Sequence, residues 1–494
     1  MRRRVTGFRV LTLILVVWVA VGFWHTHKML VPGVALDTGW YRAAPADIGF
    51  IADITSADAY GRPVMSQAIF DESLRIIRNA RRLVVLDYFL FNSLGAQAVP
   101  QQARPLTRDL GNALIARKRE LPSLRILFVT DPINNDYGRE LSADLARLQQ
   151  AGIEVEVTPL EPLRDSNPIY SAFWRLAIRW WASSSSSGAL PNPFDDRGPR
   201  VSFGSWARLL NFKANHRKVL IADDGHDRLV GLIGSANPHD ASAAHSNVAF
   251  RVQGDGLQAL LDSEMSIAAA AGWHAAAMPR LQPFDSMARD AAAESPYRMR
   301  FVTEGAIQSA LLARLNETSS GDAIDVAMFY LSDREVVDAL LSASRRGVVL
   351  RILLDPNKDA FGHEKMGIPN RPVAGELVTS SGGNIRVRWY RTHGEQFHTK
   401  MVAIYGRDRF WVTAGSANLT RRNLDNFNLE ANVIVETPRS APLAQQIGEY
   451  FQTLWNNRAP LGIEYTADFD VYADPAPSRY WTYRLLESTG LATF

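Results

Sequence analysis

The chain has 494 residues and a mass of 54.9 kDa, which allows two to four domains at about 150 residues each. Hydrophobic residues at 47% and charged residues at 21% exclude a disordered or fibrous chain, and the absence of cysteine excludes disulfide scaffolds, thiolate-bound zinc, iron–sulfur clusters and thiol catalysis. The net charge of +3 arises at the amino terminus: residues 1–36 hold five basic and no acidic side chains, whereas the rest holds 49 Lys and Arg against 51 Asp and Glu, so the body is no general polyanion binder.

Residues 1–30 begin with Arg2, Arg3 and Arg4 and continue into an apolar run from Val10 to Trp24. Fifteen apolar residues are short for a span, but Arg9 can snorkel and Trp24 suits the interface. An uncleaved anchor is the leading reading. A cleaved signal segment, giving a secreted form, and a buried helix are the alternatives. The arginines favour a cytoplasmic amino terminus, with the body on the outer side of the cytoplasmic membrane.

From there the chain alternates helices and short apolar strands. Phe70–Arg82 reads as a helix, Leu83–Phe91 as a buried strand, Thr107–Lys118 as a helix and Arg125–Thr130 as a strand ending in Asp131-Pro132. A helix over Leu141–Gln150 and a strand over Ile153–Val157 follow. The second half repeats the pattern: helix Ala306–Leu315, strand Ala323–Tyr330, helix Asp333–Ser344, strand Arg351–Leu354 ending in Asp355-Pro356, and strand Ile385–Trp389. This predicts an α/β protein of two similar lobes, each with a mostly parallel sheet flanked by helices and the site at their interface. The expected boundaries are 60–270 for the first lobe, 271–297 for a crossover, 298–460 for the second lobe and 461–494 for a tail.

The first half carries an insertion near 158–210. Pro168–Ala182 is amphipathic as a helix, and Trp180 and Trp181 stand beside arginines. A membrane-interface helix and a helix packed over the rim of the site are equally compatible with it. Residues 161–218 contain nine Lys or Arg against four Asp or Glu, a local positive field that the body otherwise lacks.

Each half then reaches a His-x-Lys followed by Gly-Ser-Ala-Asn: His216 and Lys218 with Gly234-Ser235-Ala236-Asn237, and His398 and Lys400 with Gly415-Ser416-Ala417-Asn418. Alternate residues of a strand share a face, so each pair presents an imidazole and an ammonium together. One such pair is weak evidence. Two, at matching repeat positions and with matching downstream asparagines, indicate a site.

These residues resemble the phospholipase D superfamily, in particular its cardiolipin-synthase-like phosphatidyltransferases, through the double His-x-Lys-x4-Asp and the downstream Gly-Ser-x-Asn over roughly residues 65–460. The resemblance implies metal-independent phosphodiester cleavage or transfer, with no cofactor. Asp223 completes the first motif and is expected to support the site. Tyr405 stands where the second motif should have Asp. In the family a carboxylate or amide orients each catalytic histidine, and aligning the segments after the asparagines sets Glu430 opposite Asn247. Glu430 is thus expected to hold His398 and favour its acid form, and Asn247 to orient a neutral His216.

In the chemistry this implies, Lys218, Lys400, Ser235, Asn237, Ser416 and Asn418 surround the phosphate oxygens. His216 attacks phosphorus, and His398 protonates the leaving group and then activates the acceptor. The expected partners are phospholipid headgroup phosphates and the membrane, with water or an alcohol such as glycerol or phosphatidylglycerol as acceptor. A phosphodiesterase acting on nucleic acid and an inactive lipid-binding protein are the rival readings.

Overall fold

The apolar runs become strands because the fold covers both of their faces: every residue of Leu83–Tyr88 and of Lys218–Asp223 is buried. The computed structural model describes residues 2–492, apart from 59, 96–99, 101–102, 139–140, 183–187, 194–197, 227, 255, 275–293, 361–362, 365, 459–462 and 475. Most of the expected crossover and the run Ser183–Ser187 lie outside the described residues.

The strands in chain order are β1 (Tyr41–Arg42), β2 (Ile48–Asp53), β3 (Thr55–Ala57), β4 (Pro63–Met65), β5 (Leu83–Tyr88), β6 (Arg125–Thr130), β7 (Glu154–Val157), β8 (Lys218–Asp223), β9 (Leu229–Gly234) and β10 (Asn247–Gln253). The second half adds β11 (Arg298–Thr303), β12 (Ala323–Met328), β13 (Val349–Leu354), β14 (Asp359–Ala360), β15 (His363–Glu364), β16 (Ile385–Tyr390), β17 (Lys400–Tyr405), β18 (Arg409–Gly415), β19 (Ala431–Pro438) and β20 (Thr466–Asp468). One sheet has the order β2-β10-β9-β8-β5-β6-β7 and the other β1-β11-β19-β18-β17-β12-β13-β16-β20. Without the outermost β1 and β20, the two orders correspond strand for strand.

The α/β class expected from the sequence holds, but the sheets are mixed rather than mostly parallel. Parallel pairing is confined to β5-β6-β7 and β12-β13-β16. These strands are joined by the helices Leu106–Glu120, Ala143–Gln150, Arg334–Arg345 and Asn370–Ser380, which are long enough to cross over. From β8 and β17 onward no crossover helix intervenes: short turns join β8 to β9 and β17 to β18, and the loops 235–246 and 416–430 return the chain beside the strand it has just left. The pairs β8-β9, β9-β10, β17-β18 and β18-β19 are therefore antiparallel.

Side-chain alternation splits the core. Val219 and Ile221 of β8 and Met401 and Ala403 of β17 enter one cluster shared by both sheets, together with Leu257, Leu260, Ile447 and Phe451 from two helices. The intervening Leu220 and Ala222 pack under the outer helices of the first half, and Val402 and Ile404 under those of the second. Each fully buried side chain of this kind contributes roughly 1.5–3 kcal/mol. The shared cluster fixes one sheet against the other and so fixes the distance between the two motifs.

The amino-terminal helix runs from Arg2 to His27, and its stretch Gly7–His27 is long and apolar enough to cross a membrane. Its last third docks on the insertion, which is α-helical over Pro168–Phe173 and π-helical over Trp174–Ile178.

Candidate active site

β8 and β17 begin at Lys218 and Lys400, so each histidine sits two residues ahead of a strand, at the mouth of its sheet. Two aspartates of the repeated Asp-Pro pairs hold the backbone there. The Asn215 N–H donates to Asp131 Oδ2 at 2.7 Å and the Phe397 N–H to Asp355 Oδ2 at 2.8 Å. The segments ahead of the motifs then pair across the halves. The His216 N–H donates to the Leu429 carbonyl at 2.9 Å, the Leu429 N–H to the Ala214 carbonyl at 3.0 Å, and Ser246 bridges to Phe397.

This cross-pairing overturns the expected partners of the histidines. His216 Nδ1 lies 2.7 Å from Glu430 Oε1, and His398 Nδ1 lies 3.1 Å from Asn247 Oδ1. The carboxylate therefore belongs to His216 and the amide to His398, the reverse of a pairing within each half. The reason is geometric. Residues 428–430 run alongside 214–216, and residues 245–247 alongside 396–398, so His216 meets the side chain just ahead of β19 and His398 meets the first side chain of β10. Both partners act as acceptors, which places a proton on Nδ1 and leaves Nε2 as the reactive nitrogen. The Asn247 orientation follows from its network: Nδ2 donates to the His245 carbonyl at 3.0 Å, and Oδ1 accepts from the Ser235 hydroxyl at 2.9 Å.

The two serines also depart from expectation. Ser235 donates to Asn247, and Ser416 donates to Glu430 Oε2. Their hydroxyls are committed to the histidine partners rather than to a phosphate. The preceding glycines make this reach possible. A Cβ on Gly234 would fall 2.5 Å from Ala249 Cβ, and one on Gly415 would fall 2.3 Å from the Ala431 carbonyl oxygen. Only glycine lets β9 and β18 approach their neighbours this closely. Asn237 Oδ1 accepts from the Leu90 N–H at 3.2 Å, while Asn418 Oδ1 has no partner among the described residues.

Lys218 Nζ donates to the His216 carbonyl at 2.6 Å and Lys400 Nζ to the His398 carbonyl at 3.0 Å. Each ammonium also lies over a phenyl ring that flanks the same histidine: Phe89 at 5.2 Å and Phe329 at 5.3 Å. Neither ring was identified from the sequence. Both directly follow the first parallel strand of their half, and that shared position is the signal that could have found them.

Burial dominates the electrostatics. It pulls His216 down to about 4 against the opposing charge of Glu430, and it holds His398 well below its ordinary value, helped by Lys400 and His245. Burial also lowers Lys218 to about 7, and it lowers Lys400 well below the usual ammonium range, with Lys218 adding repulsion. Burial alone would raise Glu430, but His216, Lys218 and the Ser416 hydroxyl outweigh it and hold it below the ordinary carboxylate value. Burial thus favours neutral imidazoles and weakens the hold of both lysines on their protons, a cost that a bound anion would offset.

Asp223 is remote from this cluster. It ends β8, roughly 17 Å along the strand from Lys218. There its carboxylate accepts from the N–H groups of Arg81, Arg82 and Leu83, closing the turn into β5. Tyr405 ends β17 at the equivalent place and does a different job. Its ring packs on Phe410 and under Arg439, and Gly448 leaves space for its hydroxyl. The turn into β12 is closed instead by Asp322, which accepts from the Ser319 N–H at 2.9 Å. The missing aspartate therefore leaves no gap in the site. Tyr405→Asp should lower stability by about 3 kcal/mol, by opening a cavity and burying a carboxylate near Asp325, and should leave turnover of the folded enzyme unchanged. Thermal unfolding and initial rates check this, and a gain in turnover would refute it.

The residue between His216 and Lys218 matters as well. Arg217 is fully buried and donates to Glu304 Oε1 at 2.7 Å and to Glu264 Oε1 at 3.1 Å, and Glu304 Oε1 accepts from the Glu430 N–H at 3.1 Å. This chain of contacts fixes the backbone of both Glu430 and the first motif. Among the described residues, no group of three or more His, Asp or Glu side chains is arranged to hold a metal ion.

Residues 311–455 match the family profile described as a cardiolipin synthase, PLD-like domain. No curated protein sequence matches the chain significantly. The crystal structure of phosphatidylserine synthase from Haemophilus influenzae Rd KW20 aligns over 92% of this chain and 96% of its own, with a TM-score of 0.56 at 11% identity, a likeness of fold. Polyphosphate kinase from Porphyromonas gingivalis aligns over 90% of this chain and 53% of its own, at 13% identity and a TM-score of 0.43. A phospholipase D family member, Nuc, from Salmonella typhimurium aligns over 34% of this chain and 97% of its own, at 20% identity and a TM-score of 0.26. Residues 311–455 thus carry a PLD-like domain, and the first sheet repeats the strand order of the half that holds it.

Proposed function

We propose that the protein is a membrane-anchored enzyme that cleaves or transfers phospholipid phosphodiesters through a phosphohistidine. The observation that carries this reading is the crossed pair of imidazoles, each with its tautomer set by a residue of the other half and each beside a lysine. His216 Nε2 attacks phosphorus, the bond to the leaving oxygen breaks, and His398 gives that oxygen its proton. In the second step the oxygen of water or of an alcohol attacks phosphorus, its proton passes to His398 Nε2, and the bond to His216 breaks. Glu430 stabilises the positive charge that His216 acquires in the intermediate. The incoming phosphate anion raises His398 toward its acid form and restores charge to Lys218 and Lys400. Asn237 and Asn418 are the neutral donors toward the phosphate.

Two features favour a lipid substrate. The amino-terminal helix supplies an anchor, and its arginine-rich start argues for a cytoplasmic amino terminus. A cavity of about 490 Å³, with Val157, Pro159, Leu160 and Trp174 in its wall, lies beside the first motif. Leu160 and Phe89 pack against the same cluster of Leu90, Ile133 and Tyr137, and the Phe89 ring lies 4.8 Å from His216, so an acyl chain has an apolar place near the reacting phosphate. Radiolabelled phosphatidylglycerol, with and without glycerol, assayed beside single-stranded DNA tests the reading. Phosphatidic acid or a new diester product is expected, and cleavage of DNA alone would overturn it. Activity should persist in excess EDTA, and restoration of an EDTA-abolished rate by one divalent ion would refute the metal-free route.

Affinity for the anionic diester should depend on pH. The protonated lysines are favoured by the bound anion, so affinity is greatest below pH 7 and falls as pH rises through and above it, by up to about tenfold per unit for one proton. Inhibition by a non-hydrolysable phosphonate between pH 6 and 9 measures this, and a flat profile would count against the lysine pair. On the acid side, rate should fail near pH 4 as His216 takes up a proton.

A further inference from the structure

The insertion divides its aromatic residues in an unusual way. Trp174 is buried with Ile178, Ala182 and Ala207, as a packed helix would require. Trp180 and Trp181 are 73% and 65% exposed, and Ile169, Phe173, Leu176 and Phe203 are also exposed. Trp181 and Phe203 stack flat on one another at 5.6 Å, joining the two segments of the insertion into one apolar surface. Three charges of this region are buried: Arg175 forms a two-pronged pair with Asp165 at 2.9 Å, and Lys213 completes the group, while Arg179 stays exposed. A surface of this kind is unfavourable in water.

Its position relative to the amino-terminal helix decides what covers it. Trp18 Nε1 donates to the Ile169 carbonyl at 3.0 Å. Gly22 lies so close to the insertion that a Cβ there would fall 3.3 Å from the Pro168 carbonyl oxygen and 3.7 Å from Ala172 Cβ. Lower down, the Asp165 N–H donates to the His25 carbonyl at 3.0 Å, and Lys28 Nζ donates to the Glu161 carbonyl at 2.8 Å. The contact therefore runs along the helix from Trp18 to Lys28. Trp18 is nine residues from His27, roughly 14 Å along the axis, close to the middle of the apolar stretch Gly7–His27.

We infer that Pro168–Trp181 is a second membrane element, immersed in the same leaflet beside the anchor and holding the first motif at the bilayer surface. This rests on the anchor reading, since the depth of the insertion is measured from that helix. Its backbone is helical through Ile178, as immersion requires, and Arg179 lies over the Trp180 ring at 4.6 Å, with a side chain long enough to reach the headgroups. Lys213 ties the insertion to the site, because it pairs with Asp165 three residues before His216. The occupant of the apolar face is thus lipid.

The chain has no cysteine, so each introduced thiol is unique. The full chain carrying Phe173→Cys or Trp180→Cys is labelled with a nitroxide and reconstituted in phosphatidylethanolamine–phosphatidylglycerol vesicles. Collision rates with oxygen and with a water-soluble nickel chelate then report depth. Val16→Cys marks the anchor, and Val349→Cys, at the end of β13 away from Asp355, marks the aqueous body. The oxygen-to-nickel ratio at 173 and 180 should be several-fold above that at 349 and approach that at 16. Ratios at 173 and 180 equal to that at 349, with a membrane-like value at 16, overturn the inference and leave the anchor intact. An aqueous value at 16 alone refutes the anchor, and with it the placement of the insertion beside it, and aqueous values at all positions refute membrane contact by either element.

Discussion

If the proposed phosphohistidine route holds, His216→Ala should abolish the covalent intermediate and lower turnover by about 10⁴–10⁶-fold, because no atom remains to accept the phosphoryl group. His398→Ala has a different signature. It loses general acid help, typically worth about 10²–10⁴-fold, but that loss depends on the leaving group. With a p-nitrophenyl phosphodiester, whose leaving group needs no proton, the alanine variant at 398 should recover most of its rate of intermediate formation, and the variant at 216 none. Rapid-quench mass spectrometry should place the adduct on His216. Glu430 supports this division, because a carboxylate behind Nδ1 makes Nε2 a better nucleophile and stabilises the charged adduct. An adduct on His398, with selective rescue of His216→Ala by the activated ester, would reverse the roles.

Glu430→Gln lowers turnover by about 10³–10⁴-fold, the scale seen when the partner that sets a catalytic imidazole's tautomer is lost. The cause lies in the hydrogen bonds. Glu430 accepts from His216 Nδ1, from the Asn423 amide and from the Ser416 hydroxyl, so donors face both of its oxygens and a glutamine NH₂ in their place would meet a donor rather than an acceptor. One amide hydrogen must oppose a donor, and the His216 proton is then free to move to Nε2. Nitrogen-15 resonances of the imidazoles test which histidine responds. The His216 signals should change tautomer while those of His398 hold. A change confined to His398 would restore the pairing within each half and refute the crossed arrangement. Asn247→Leu should do the converse, disturbing His398 and leaving His216 in place.

The sequence alone determined the doubled motif. His216 with Lys218 and His398 with Lys400 are local pairs two residues apart, so each is held together without knowledge of the fold, although the histidines lie just outside the strands that the lysines begin. The alternation of helices and short strands was legible for the same reason, and Arg125–Thr130 matched to the residue. What happens between segments was not legible. The antiparallel hairpins after β8 and β17 depend on which neighbour a strand finds in the sheet, and an apolar run reads alike in either direction. Aligning the repeats correctly set Glu430 opposite Asn247, yet assigned each to the wrong histidine. Only the tertiary structure decides that, because the shared core presses one sheet on the other and lays residues 428–430 beside 214–216. The same holds for Ser235 and Ser416, whose hydroxyls turn to Asn247 and Glu430 once Gly234 and Gly415 let the strands close in. Sequence spacing carries the geometry within an element, whereas the partner of a buried polar group is chosen by packing between elements distant in the chain.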